Sequence, residues 1–322
     1  MKERQSSALE PDEHGMLDVG DGNQIYWECW GNRNGIPVLY LHGGPGSGCT
    51  PAARGFFDPQ VHRVVFFDQR GCGRSRPVAS ELHADLRTNT TDHLVRDIEQ
   101  LRNAVKIERW TLLGASWGTT LALAYAQAHP ERVLALVLAL VTTTSRREVR
   151  WITEDVGRIF PAAWERFADA VPQRFKDRPI VQAYAEMLFD ADADVRRIAA
   201  SEWCAWEDAH VSLAPAFKPN PRFESAEFRL GFARLVTHYW ANAAFLEDDQ
   251  LIRDAFILDG IPGELIHGRY DVSTPLETAW RLSKNWQSST LRIVDDGHGG
   301  GQSFVSVVRE ALERTTAAFL SN

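Results

Sequence analysis

The chain has 322 residues, enough for one large α/β domain or for a domain carrying a sizeable insertion. Its 44% hydrophobic and 24% charged residues are ordinary for a globular protein, and a net charge of −8 argues against a nucleic-acid or anionic-membrane surface. Four scattered cysteines, Cys29, Cys49, Cys72 and Cys204, form no C-x-x-C pair and have no histidine at metal spacing, so free thiols in a reducing compartment are expected.

The opening MKERQSSALEPDEHG has no apolar core of a signal peptide, and residues 1–14 are expected to be a polar, poorly ordered tail. No stretch approaches the ~18 apolar residues of a membrane span, so a cytoplasmic protein without membrane contact is expected. Residues 16–30, MLDVGDGNQIYWECW, read as two strands joined at Asp21-Gly22, a hairpin signal. PVLYLHG (37–43), HRVVFFDQRG (62–71), WTLLGAS (110–116) and VLALVLALV (133–141) are apolar runs without alternation, as in strands buried on both faces of a parallel sheet. Between them, TTDHLVRDIEQLRNAV (90–105) places Leu94, Ile98 and Leu101 at helical spacing, and WGTTLALAYAQAHP (117–130) is an Ala- and Leu-rich helix stopped by proline.

The character changes after residue 145. Residues 146–250 are helical in pattern, charged, and hold Trp151, Trp164, Trp203, Trp206 and Trp240. Strand signals resume at GELIHGRYD (263–271) and TLRIVDDG (290–297), and FVSVVREALERTTAAFL (304–320) closes the chain as a helix. The organisation expected is an α/β core of residues 1–145 and 251–322 interrupted by a helical cap of residues 146–250.

The chemistry centres on Gly114-Ala115-Ser116-Trp117-Gly118, a G-x-S-x-G between a predicted strand and a predicted helix. That context holds a nucleophilic serine on a sharp turn; the plainer reading is a helix N-cap serine. A serine nucleophile needs an acid and then a histidine further along the chain. Asp271 and His298 supply them in that order, each just past a predicted strand, where open α/β sheets place their sites. Alone, each reads as a loop residue; Asp295 and Asp296 are rival acids on the loop of His298. The loop LHGGPGSGCT (41–50) follows the third predicted strand and can aim a backbone N–H at a developing oxyanion. Its donor is Gly44 or Gly43, and the second donor is the Trp117 N–H. A phosphate-binding role is disfavoured, because no G-x-x-x-x-G-K-[ST] is present.

Three stretches together, HGGPG (42–46), DQRGCGRS (68–75) and GASWGTTLALAYAQAHPERV (114–133), resemble the proline iminopeptidase (prolyl aminopeptidase) family of α/β hydrolases. The resemblance extends through HGRYD and the terminal GH loop to nearly the whole chain beyond the tail. It implies an α/β-hydrolase fold, with a mostly parallel sheet flanked by helices and an inserted helical cap. It also implies a Ser116–Asp271–His298 triad and removal of an N-terminal residue, typically proline, from small peptides or amino-acid amides and esters, without metal or cofactor. Trp203, Trp206 and Glu207 share a helix face, and the resemblance makes Glu207, with Trp206 and Gly43, a substrate-binding group that seats the amine. Two family positions differ: Val236 stands where a second amine-binding glutamate is usual, and Ala139 where an arginine is. These departures keep an esterase or amidase of altered selectivity as the alternative, with a non-catalytic binding protein as a third reading. Oligomeric state is not legible in the sequence.

Overall fold

A computed structural model describes residues 10–211, 213, 218–299 and 301–320. The tail expected at 1–14 lies mostly outside them, and its end is corrected: Glu13 and His14 already belong to the first strand, opposite Cys29 and Glu28. That strand, β1 (Glu13–Gly20), pairs antiparallel with β2 (Asn23–Gly31). Asp21 (φ 55°) and Gly22 (φ 73°) between them are both left-handed, the conformation a two-residue hairpin requires.

The remaining strands are β3 (Ile36–Leu41), β4 (His62–Phe67), β5 (Trp110–Ala115), β6 (Val133–Ala139), β7 (Gly263–Gly268) and β8 (Ser289–Val294). The sheet runs β1-β2-β4-β3-β5-β6-β7-β8, parallel from β4 to β8. The apolar runs fall on central strands because both faces are covered. Helices α1 (Thr91–Ala104) and α2 (Trp117–Ala128) pack Leu94, Ile98, Leu101 and Leu121 on one face. On the other, the closing helix contributes Phe304, Val308, Ala311 and Leu312. Fully burying one such side chain stabilises the fold by roughly 1.5–3 kcal/mol.

All the described elements between β6 and β7 are helical. They include α3 (Arg146–Thr153), α4 (Pro161–Asp169), α5 (Ile180–Met187), α6 (Ala193–His210), α7 (Ala226–Ala241) and α8 (Gln250–Arg253). Their aromatic side chains build a core of their own. Phe167 stacks on Tyr184 at 4.4 Å and on Trp206 at 5.3 Å, with Trp203 edge-on to both Phe167 and Tyr184. From Tyr239 onward the chain rejoins the sheet's core through Ala244, Leu251, Ala255 and Leu258. Helices α9 (Leu276–Asn285) and α10 (Gln302–Leu320) complete the fold. No helix among the described residues is long and apolar enough to cross a membrane.

Candidate active site

Four strands deliver the functional loops to one edge, each at its C-terminal end: Gly44 after β3, Ser116 after β5, Asp271 after β7 and His298 after β8. Ser116 joins β5 directly to α2 with φ 54° and ψ −124°, backbone angles a non-glycine residue adopts only when its surroundings enforce them. Two glycines permit the turn. A Cβ on Gly118 would stand 2.0 Å from the Leu41 carbonyl oxygen, and one on Gly114 would stand 2.4 Å from that of Gly118. The Ser116 N–H donates to Ala139 O on β6 at 2.9 Å, fixing the turn from the other side. Gly118→Ala is expected to push α2 off β3, lowering stability by about 3 kcal/mol and Tm by on the order of 10 °C. Thermal unfolding checks this beside Gly55→Ala, whose Cβ would meet nothing within 4 Å; equal Tm values for the two variants would refute the packing argument.

The side chains converge on Ser116. His298 Nε2 lies 2.9 Å from Ser116 Oγ, and its Nδ1 lies 2.8 Å from Asp271 Oδ2. The buried Asp271 also accepts from the Thr274 N–H at 2.9 Å and from its hydroxyl at 2.7 Å. His267 donates from Nε2 to Thr274 O at 2.7 Å and accepts the Val141 N–H at Nδ1, tying the Asp271 turn to the end of β6. Burial works to raise the Asp271 carboxyl, but the charge and hydrogen bond of His298 outweigh it and hold the group below its ordinary range. Burial works to lower His298; the charge and hydrogen bond of Asp271, with Glu207 adding, raise it above the ordinary imidazole value instead. The rival acids are engaged elsewhere. Asp295 pairs with Arg269 at 2.8 Å on the surface, and Asp296 accepts the Gly297 and Gly301 amides.

The glycine loop is held against the serine turn. Gly43 sits so close that a Cβ there would be 3.2 Å from Ser116 Cβ, and Gly44, with φ 112°, lines the same cavity as Ser116 and Trp117. The Gln69 side chain bridges the pieces: its Nε2 donates to His42 O at 3.0 Å and its Oε1 accepts the Trp117 indole N–H at 2.9 Å. His42 Nε2 in turn accepts the Gln69 amide. Neither His42 nor Gln69 was singled out from sequence, although both stand inside the HGGPG and DQRG motifs. Thr274 follows Asp271 by three residues, a local carboxylate-to-backbone pattern that could have been read.

Glu207 on α6 and Trp240 on α7 face the cavity from the helical side. Burial pushes the Glu207 carboxyl up to about 7, with His298 and the Trp203 indole opposing. No Lys or Arg pairs with it among the described residues; His210 lies close by, with Nε2 3.9 Å from Oε2. The Ser273 hydroxyl donates to His210 O, so Nδ1 of His210 donates to Ser273 Oγ and Nε2 is left as an unfilled acceptor beside Glu207. Trp206, by contrast, is not brought to the cavity: it is 1% exposed and gives its indole N–H to Ile152 O at 3.0 Å. Val236 is fully buried in the helical aromatic cluster, and Ala139 is the last residue of β6. Glu148 also lines the cavity, where it was not expected. Its carboxylate accepts from the hydroxyls of Thr142, Thr143 and Thr278 and from the amides of Thr143 and Ser145, fixing the loop after β6.

Comparison with known proteins agrees with this geometry. Residues 36–300 match the family model described as alpha/beta hydrolase fold. The chain is 48% identical to a probable proline iminopeptidase of Streptomyces coelicolor, covering 91% of this chain and 92% of that one. It is 45% identical to the proline iminopeptidase of Xylella fastidiosa over 96% and 97% of the two chains. The crystal structure of a Mycobacterium smegmatis proline iminopeptidase shares the fold, with a TM-score of 0.64 at 20% identity over 95% of this chain and 99% of that one. With identity of this level sustained over nearly its whole length, the chain belongs to the proline iminopeptidase family of α/β hydrolases.

Proposed function

We propose that the protein is a serine aminopeptidase of the proline iminopeptidase type, releasing an N-terminal proline or similar residue from small peptides through an acyl-enzyme. The observation that carries this reading is the Ser116–His298–Asp271 relay at 2.9 and 2.8 Å with, in the same cavity, a carboxylate, Glu207, that has no Lys or Arg partner among the described residues. Ser116 Oγ attacks the carbonyl carbon of the N-terminal residue while His298 Nε2 takes its proton. Asp271 keeps the proton of Nδ1 in place and stabilises the imidazolium. The N–H groups of Trp117 and Gly44 face the oxyanion. His298 then protonates the leaving amine, and a water activated by the same imidazole hydrolyses the acyl-enzyme. No step requires a metal or cofactor. Residues 146–250 act as a cap that closes the acyl pocket, and Glu207 seats the substrate's ammonium. Burial raises the Glu207 carboxyl to about 7, so an ammonium beside it would hold it ionised and gain a charge-assisted bond worth about 1.5–3 kcal/mol.

The test compares proline β-naphthylamide with its N-acetylated form. Free-amine turnover should exceed acetylated turnover at least ~10–100-fold in kcat/KM. Glu207→Gln should erase most of that ratio. The same variant should move the acid limb of activity downward. The sign follows from His298: an imidazolium is no base, its pKa is raised, and activity therefore rises through a pH above the ordinary imidazole value of about 6.5. Removing the Glu207 charge takes away one of the causes of the raise, so the limb belongs to the pair rather than to His298 alone. Equal losses on both substrates with an unmoved limb would make Glu207 a structural residue and return the esterase reading.

A further inference from the structure

The cavity at Ser116 widens outward into a space of about 370 Å³ whose wall includes Ser47, Arg222 and Phe232. The same three residues also line a neighbouring cavity of about 510 Å³ that reaches Asp68 and Arg74. Arg222 therefore stands at the junction, on the wall of a space that Ser116, His298 and Glu207 also line. It is also close to the reaction centre. Its Nη1 donates to Ser47 O at 2.5 Å, the Ser47 N–H donates to Gly43 O at 3.2 Å, and Gly43 lies against Ser116.

No carboxylate forms an ion pair with Arg222 among the described residues, although Glu207 and Asp208 line one cavity at the junction and Asp68 and Glu227 the other. Among the described residues, the partners of Arg222 are the Ser47 carbonyl, the Asn220 side-chain oxygen and the face of Phe228, 4.6 Å from the guanidinium carbon. Arg74 in the neighbouring cavity is committed, holding Asp68 at 2.9 Å and Glu28 at 2.7 Å. Asp208 faces the outer space as well, but its carboxylate accepts the Asn220 N–H at 2.9 Å, and Lys218 on that wall is exposed. Burial lowers the Arg222 pKa, yet a guanidinium remains protonated at any working pH. A half-buried planar cation with neutral partners, a few contacts from a nucleophile, is matched by a carboxylate in bidentate geometry.

We infer that Arg222 recognises the free C-terminal carboxylate of a short peptide's leaving group, so that di- and tripeptides are preferred to longer or C-terminally amidated peptides. The inference rests on the aminopeptidase reading. An extended chain advances about 3.5 Å per residue, so the carboxylate of a di- or tripeptide ends one or two residues past the scissile bond, within the space that Ser116 and Arg222 both line.

The experiment measures kcat and KM for Pro-Gly, Pro-Gly-Gly and their C-terminal amides, with proline β-naphthylamide as reference, in wild type, Arg222→Gln and Arg222→Lys. The wild type should favour the free acids over the amides about tenfold or more, chiefly through KM, and the preference should shrink as salt rises. Arg222→Gln should bring the acid-to-amide ratio to within about threefold of unity, and Arg222→Lys should keep part of it. A wild type that cleaves the naphthylamide but takes acids and amides equally overturns the inference, as does a ratio that survives Arg222→Gln. If the Gln variant fails to fold, the wild-type ratio at low and high salt and the Lys variant decide in the same way. A wild type inactive on the naphthylamide and the peptides alike overturns the aminopeptidase reading itself, and this inference with it.

Discussion

Ser116→Ala is expected to lower kcat/KM by about 10⁴–10⁶-fold, the range seen when a serine nucleophile is removed from a complete triad. The fold should be unaffected. Alanine and serine share the same backbone cost at φ 54°, the change deletes one oxygen, and the Ser116 backbone bond to Ala139 is untouched. Circular dichroism and Tm should match the wild type, while covalent labelling by a fluorophosphonate should vanish. Turnover within tenfold of wild type, in a protein that no longer labels, would put the nucleophile elsewhere.

Asp271→Asn should cost about 10⁴-fold at neutral pH, again without unfolding. The asparagine oxygen can still accept the Thr274 amide as Oδ1 now does. Its NH₂ then faces His298 Nδ1, in place of the oxygen at 2.8 Å, and donates where the carboxylate accepted. The imidazole must carry its proton on Nε2, pointed at Ser116 Oγ, and it can no longer act as base. Loss of the Asp271 charge also leaves only Glu207 opposing burial at His298, so whatever acid limb remains should fall below the wild-type position. A decrease smaller than tenfold, or an acid limb that does not move, would refute the assignment of Asp271 as the orienting acid and reopen Asp295 and Asp296.

The comparison of Trp206 and Glu207 shows how far helical spacing reads. Their spacing with Trp203 placed all three on one face of a helix, and the helix α6 formed there. Periodicity cannot say that the Trp206 indole turns into the aromatic cluster against Phe167 while the next residue reaches the cavity. One position along a helix rotates a side chain by about 100°, which is enough to separate core from site. Val236 is a similar case. A family correspondence placed it at an amine site, whereas the structure describes a side chain fully enclosed by apolar neighbours.

Local chemistry in the sequence determined the strands, the serine turn and the order Ser116, Asp271, His298. Continuous apolar runs have few alternatives to a doubly covered parallel sheet, and the glycines at 114 and 118 leave the turn between β5 and α2 little other use. The helical stretch from residue 146 was legible for the same reason, as a change of period. The tertiary structure alone decided what lies between these pieces. It joined His42, Gln69 and Trp117 into one network, used Glu148 to fix the loop after β6, set His210 beside Glu207, and placed Arg222 at the cavity junction. Of these contacts, Glu148 holds its loop and His210 meets Glu207 over three to six residues, and it is the cavity lined by Glu148 and Glu207 that the tertiary structure supplies. The first and last join residues far apart in the chain, so no local pattern encodes them. They arise where loops at the ends of different strands meet, and their geometry exists only after the sheet has set the strand order.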